Sequence, residues 1–223
     1  RYQTHVGGDY ICWSFQAIKH LTTGDGGAIH CPPEQVDRAR LLRWYGLDRT
    51  KGDSFRCSQD TTEVGFKSHL NDIAASIGLA NLPHLAGIVK RHRDHARWYA
   101  EHLKNVPGVT LPPWDAGSSW WLYTVLVDDA EARADFIQFL SNRGIIAGQV
   151  HRRNDEHPAF KAAAHPASAV KLPGVDAFAS REVAIPVGWW LDEQDLRRVA
   201  AAIVQWAIGR SGQTVHLQEL VYA

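Results

Sequence analysis

Lys19 follows a short apolar and aromatic run, Tyr10 to Phe15, and precedes a glycine-rich turn in the stretch Ser14-Phe-Gln-Ala-Ile-Lys-His-Leu-Thr-Thr-Gly-Asp-Gly-Gly27. A lysine held at a strand end beside a cleft can attack a carbonyl or move a proton. It does so where burial or neighbouring charge brings its amine below the ordinary pKa of about 10.4. Gly24, Gly26 and Gly27 allow positive φ and close approach of the backbone to a ligand. The same residues also fit a simpler arrangement, with Asp25-Gly26 as an ordinary turn and the lysine at the surface. The order Gly-x-x-x-x-Gly-Lys-[Ser/Thr] of a phosphate-cradling Walker loop is absent.

A second group is His151-Arg-Arg-Asn-Asp-Glu-His157. Guanidiniums clamp carboxylates and phosphates bidentately, so Arg152 or Arg153, with His151 beside them, could receive an anionic substrate; a solvated loop is the alternative. His92, His95 and His102 share a helical spacing with Tyr99 and read as a wet helical face, because no Cys or carboxylate completes a metal-ligand set. Cys12, Cys31 and Cys57 match neither a disulfide framework nor a zinc ribbon and read as reduced, mostly buried thiols. The nine tryptophans, Trp120-Trp121 and Trp189-Trp190 among them, read mostly as core or subunit interface rather than sugar-stacking platforms.

The elements that must hold these residues alternate. Tyr10 to Phe15 and Gly27 to Cys31 read as buried strands, and a helix over Glu34 to Tyr45 starts behind Pro33. Gly46 to Gly65 is polar and aperiodic, a loop. Helices follow over Asp72 to Leu82 and Leu85 to Leu103, divided near Pro83. Trp120 to Val127, Ile145 to Val150 and Arg181 to Val187 read as strands, and Glu131 to Asn142 and Glu193 to Ile208 as helices. Asp192 is the expected N-cap and Gly209 the expected stop of the last helix. Asn154 to Asp176 is expected to be irregular, and the tail from Ser211 is ambiguous between a strand and an extension. The alternation predicts an α/β protein, with a boundary near residue 90 separating residues 1–90 from an α/β unit over 91–223.

Composition narrows the partners. Among 223 residues, Lys plus Arg equals Asp plus Glu at 24 each, so no net field draws the chain to nucleic acid or an anionic membrane. Apolar runs fall short of the roughly 20 residues a bilayer demands, and no leader opens the chain, so a cytoplasmic protein is expected. The start at Arg1 and the absence of methionine read as those of a fragment.

The Lys19 segment resembles the cofactor-lysine segment of the DegT/DnrJ/EryC1/StrS family, nucleotide-sugar aminotransferases of the fold-type I pyridoxal-phosphate class. Gly65-Phe-Lys-Ser-His-Leu-Asn-Asp-Ile-Ala-Ala-Ser-Ile-Gly-Leu79 is similar to the family's second block, and Ile185-Pro-Val-Gly-Trp-Trp-Leu191 to its closing strand. The resemblance implies the C-terminal part of that fold, with residues 1–90 the remainder of the large cofactor-binding domain and 91–223 the small domain. The N-terminal part, including the acidic partner of the cofactor's pyridinium nitrogen, is expected to be missing.

By position, Lys19 would be the Schiff-base lysine of pyridoxal 5'-phosphate and later the general base, and Ser14 would bind the cofactor phosphate, its alternative being a hydroxyl bonded to backbone. The second block implies a homodimer in which this loop reaches the neighbouring subunit's cofactor phosphate. Lys67 and His69 stand where the family commonly has Asn or Arg. The implied activity is amino transfer from an amino acid, with glutamate the expected donor, to a keto-sugar nucleotide in polysaccharide or antibiotic-sugar assembly. Two other readings stand beside it: a cofactor-dependent sugar dehydratase, some of which carry histidine at the lysine position, and a non-catalytic piece serving dimerisation or sugar binding.

Overall fold

A computed structural model describes residues 10–50, 58–162 and 171–212. Cys57 and the tail VHLQELVYA lie outside them, as do parts of the two loops expected at 46–65 and 154–176. The chain divides into two compact units, Arg1–Ala86 and Gly87–Ala223.

In the first unit, β1 (Ile11–Ser14) pairs antiparallel with β2 (Gly27–His30), Ser14 lying opposite Gly27 and Ile11 opposite His30. Pro33 opens a 3-10 turn, Pro33–Gln35, whose fixed φ leads into α1 (Val36–Leu42). The Asn71 side chain accepts from Ala74 N–H at 2.8 Å and so starts α2 (Asp72–Asn81). The strands form where expected but are not buried: Trp13 is 47% and Ile29 52% exposed. Two strands alone cannot enclose a face. Thr23, 5% exposed, is the one described residue of this unit that is fully enclosed. Cys12 is likewise exposed and Cys31 half-buried, and neither is in a disulfide, which corrects the expectation of buried thiols while keeping them reduced.

α2 runs through a 3-10 turn at Leu82–His84 into α3 (Leu85–His102). Among the described residues this continuous stretch, Asp72–His102, is the one helix long and apolar enough by length and composition to cross a membrane, an 18-residue window of it having mean hydropathy 1.3. Counting uninterrupted apolar runs missed it, because Asn81, Pro83 and His84 break the run without breaking the helix.

The second unit holds the hydrophobic core. β3 (Val109–Thr110), β4 (Tyr123–Val127) and β5 (Glu182–Ile185) form an antiparallel sheet in the order β3-β4-β5. Tyr123, Val125 and Val127, alternate residues of β4, are completely buried, as the period of two demands of one covered face. Against them pack Tyr99 of α3, Phe136 of α4 (Ala130–Ser141) and Ile203 and Trp206 of α7 (Glu193–Ser211). Phe136 and Trp206 meet edge to face at 4.7 Å, and the indole N–H donates to Asp135 at 2.7 Å. Asp192 caps α7 in a reciprocal capping box with Asp195. Helices layered on a sheet make this the mixed α/β unit the alternation implied.

Three expectations are corrected. Ile145 to Val150 is not a strand; Gly148 alone bridges to Ala184, and Ile146 is 91% exposed. The region from Asn154 carries short helices, α5 (Pro158–Ala162) and α6 (Pro173–Ala179). α7 continues through Gly209 and stops at Gly212, which holds the left-handed φ of 64° a C-terminal cap needs.

His92 and His95 are not a wet face: they are 3% and 8% exposed. His92 Nδ1 lies 3.0 Å from the Trp120 carbonyl and therefore carries the proton, while Nε2 accepts the Trp189 N–H at 3.3 Å. His95 Nδ1 faces the Val187 carbonyl at 3.3 Å. Burial, with His95 nearby opposing the Trp120 carbonyl, lowers the His92 pKa below its usual 6.5. A His with a depressed folded pKa costs nothing while both states are neutral. As pH falls below about 6.5 the unfolded chain takes up a proton that the folded one resists, so stability drops until the folded pKa is passed. The expected result is a melting temperature that declines between pH 7 and pH 5 less steeply in His92→Asn than in the parent. Parallel slopes would contradict this role.

Candidate functional site

Lys19 sits in the connection between β1 and β2, and that connection is bonded throughout. Phe15 N–H donates to Gly26 O, Thr23 N–H to Phe15 O and Lys19 N–H to Gln16 O, each at 2.9 Å. Thr23 Oγ1 donates to Asp25 O at 2.7 Å, and Asn81 of α2 donates to Thr22 O at 3.1 Å. Gly27 is required by close approach, since a Cβ there would lie 2.6 Å from Trp13 O. The lysine is thus half-buried on a backbone with little freedom. Ser14 is exposed on the same hairpin, its hydroxyl accepting Gln16 N–H at 3.4 Å, the local bond expected of a strand-end serine.

Lys67 and His69 come together on Trp44. Phe66 N–H donates to Leu42 O at 2.7 Å and Ser68 N–H to Arg43 O at 2.9 Å, lacing the 66–68 segment to the end of α1. Gly65 permits this, because a Cβ would lie 2.3 Å from Gly46 N. The ammonium of Lys67 lies 5.3 Å from the Trp44 ring centroid, Arg49 stands over the same ring at 4.9 Å, and His69 meets its edge at 4.0 Å. His69 Nδ1 is buried without a hydrogen-bond partner. Its pKa is lowered, first by burial and then by Lys67, Arg49 and Arg43, with Asp72 opposing. An imidazole kept neutral among cations, with an orphaned nitrogen, is the pattern an anion would complete.

His151, Arg152 and Arg153 belong to the second unit. The Val150 N–H donates to both carboxylate oxygens of Glu182, at 3.2 and 3.3 Å, and fixes where the loop leaves the sheet. Glu182 is 2% exposed and burial raises its pKa. Arg153 is held by Asp155 at 2.6 Å and by Asp176, with its side chain 16% exposed, so its guanidinium staples the loop. Arg152 pairs more loosely with Glu156 at 3.5 Å, and it and His151 are exposed. Among the described residues no cluster of His, Cys, Asp and Glu could hold a metal.

The donor set fits a group that carries both an aldehyde and a phosphate: an amine on a rigid hairpin, an exposed hydroxyl beside it, and a cation cluster around an unpartnered imidazole nitrogen. Trp44, Arg43, Arg49 and Glu182 went unnoticed in the sequence. Only Glu182 left a trace there, as a charge within an otherwise apolar strand.

Residues 3–204 match the model of the DegT/DnrJ/EryC1/StrS aminotransferase family. A curated relative, dTDP-4-dehydro-2,3,6-trideoxy-D-glucose 4-aminotransferase of Saccharopolyspora spinosa, is 32% identical over 203 residues, 86% of this chain and 51% of its own. The solved sugar aminotransferase CalS13 from Micromonospora echinospora is 36% identical, with a TM-score of 0.79 over 89% of this chain and 52% of that one. AtS13 from Actinomadura melliaura is 41% identical, also with a TM-score of 0.79, over 89% and 52%. The chain thus spans about half the length of the relatives it matches.

Proposed function

Because the chain belongs to the DegT/DnrJ/EryC1/StrS aminotransferase family, a pyridoxal-phosphate-dependent class, we propose that it carries the lysine half of a sugar aminotransferase site. Amino transfer from an amino acid, with glutamate as the first donor to try, to a keto-sugar nucleotide is the activity this reading assigns. The observation that carries it is Lys19 on the bonded β1–β2 connection. Its Nζ would be the covalent anchor for the cofactor aldehyde and, once an amino donor has displaced it, the base that takes a proton from the donor's carbon and delivers it to the cofactor's aldehyde-derived carbon. The cofactor, when bound, supplies the electron sink that the side chains lack.

The hairpin bonds around Phe15, Thr23 and Gly26 orient that amine, and Ser14 offers a hydroxyl to the cofactor phosphate on the same strand. Lys67, as a point charge, and His69, through its unpartnered Nδ1, would bind the same kind of phosphate across a homodimer. His151 and Arg152 would face the carboxylate of the donor, with Arg153 holding their loop against Asp155 and Asp176. In this scheme residues 1–90 complete the large domain and 91–223 form the small one, and the protein works in the cytoplasm. Retention of lysine at position 19 favours amino transfer over dehydration.

Adding pyridoxal 5'-phosphate to the protein is expected to give a visible absorption band, lost on adding glutamate and restored by a keto-sugar nucleotide. Borohydride should fix the adduct on the peptide containing Lys19. An adduct on another lysine, or a band that glutamate leaves unchanged, would reject the proposal.

A further inference from the structure

The basic cluster at Trp44 opens into a cavity of about 410 Å³ in the first unit, with Arg40, Arg43, Arg49, Asp37 and Asp48 supplying its charged walls. The charges do not cancel locally. Arg40 is matched by Asp37 at 3.1 Å, and Asp48 Oδ1 accepts the Thr50 N–H and hydroxyl at 2.9 and 2.7 Å. Arg43, Arg49 and Lys67 have, among the described residues, no carboxylate within 4.0 Å. Three cations thus gather at one indole ring and on one histidine, with no carboxylate among the described residues paired to any of them.

A single cofactor phosphate at Lys67 and His69 leaves Arg43 and Arg49 unused. It also leaves most of the space empty, since cavities for small organic ligands run from about 300 to 1,000 Å³. Leu41, Leu47 and Leu70 add apolar wall, which suits the body of a ligand whose charge is confined to one end.

We propose that Arg43 and Arg49 bind the diphosphate of a nucleoside diphosphate group in this cavity, beside the phosphate contacts given to Lys67 and His69. This rests on the amino-transfer reading, because a keto-sugar nucleotide is the substrate that would present such a group. The two guanidiniums clamp adjacent phosphates bidentately, Trp44 holds Arg49 in place from below, and the leucines receive the nucleoside.

Calorimetry on the protein with four probes tests this: dTDP, the nucleotide in the name of the Saccharopolyspora relative, thymidine, inorganic pyrophosphate and pyridoxal 5'-phosphate. Arg43→Ala and Arg49→Ala are each expected to weaken dTDP and pyrophosphate about tenfold or more. Arg40→Ala should change both by less than about twofold, because Asp37 already takes up that charge. Thymidine should bind far more weakly than dTDP. Arg49→Lys, which keeps the charge without the fork, should fall between parent and alanine variant and guards against misfolding of the truncations. The visible cofactor band should be untouched in all of them.

Equal dTDP affinity in parent, Arg43→Ala and Arg49→Ala would overturn the assignment. So would loss of the cofactor band with dTDP binding retained, which would give the arginines to the cofactor phosphate. The band itself reports on Lys19 and not on this cavity, so its absence in the parent sinks the amino-transfer reading, whatever dTDP does.

Discussion

Replacing Lys19 by alanine is expected to reduce amino transfer by about 10²–10⁴-fold or more, the range lost when a positioned acid or base is removed. The loss should fall on kcat rather than on the affinity for the sugar nucleotide, because the amine acts on the reacting carbon and not on the nucleotide. Lys19→Arg should be as inactive as Lys19→Ala: a guanidinium keeps the charge but neither condenses with an aldehyde nor gives up a proton near neutral pH. Measuring steady-state rates with glutamate as donor for both variants separates the chemistry of the amine from its charge. An arginine variant that keeps most of the parent rate would leave position 19 with an electrostatic role only.

The second large effect lies in the other unit. Phe136 is completely buried and stacks edge to face on Trp206, while Trp206 is itself tied to Asp135. Phe136→Ala removes a ring from a site walled by α4, α7 and the sheet, and is expected to cost about 3–5 kcal/mol, the sum of lost burial and the cavity left behind. Ile146→Ala, at a side chain 91% exposed, should stay within about 0.5 kcal/mol. Urea titrations of the two variants give the comparison. A Phe136→Ala midpoint no lower than that of Ile146→Ala would mean that the core tolerates the hole by collapsing around it.

The parts of the fold readable in the residues were those governed by short-range chemistry. The Asp192 cap, the proline at position 33 and the strand read within Trp120 to Val127 each depend on a few positions along the chain, and the structure has the cap, the proline-led turn and a strand over Tyr123–Val127. The failures share a different cause. His92 and His95 look polar and therefore wet, yet they are enclosed because Trp120, Val187 and Trp189, remote in sequence, offer bonds that offset desolvation. Gly209 looks like a stop, but the packing of α7 carries the helix past it to Gly212, where positive φ does need glycine.

The candidate site divides the same way. Lys19 announced itself through the glycines that follow it and through family resemblance. Trp44, Arg43 and Arg49 gave no sign, since their convergence on Lys67 and His69 depends on backbone bonds between segments more than twenty positions apart. Arg153 illustrates the reverse: an arginine in a promising run whose guanidinium is held by Asp155 and by Asp176, far along the chain.

The sparse enclosure of the first unit carries a further consequence. Trp13, Ile18, Ile29, Phe66, Ile73 and Leu79 are each at least 47% exposed there, and bulky apolar side chains left in water adhere to any greasy surface they meet. At high protein concentration these side chains are expected to draw molecules together and mild detergent to keep them apart, which light scattering at rising concentration would read.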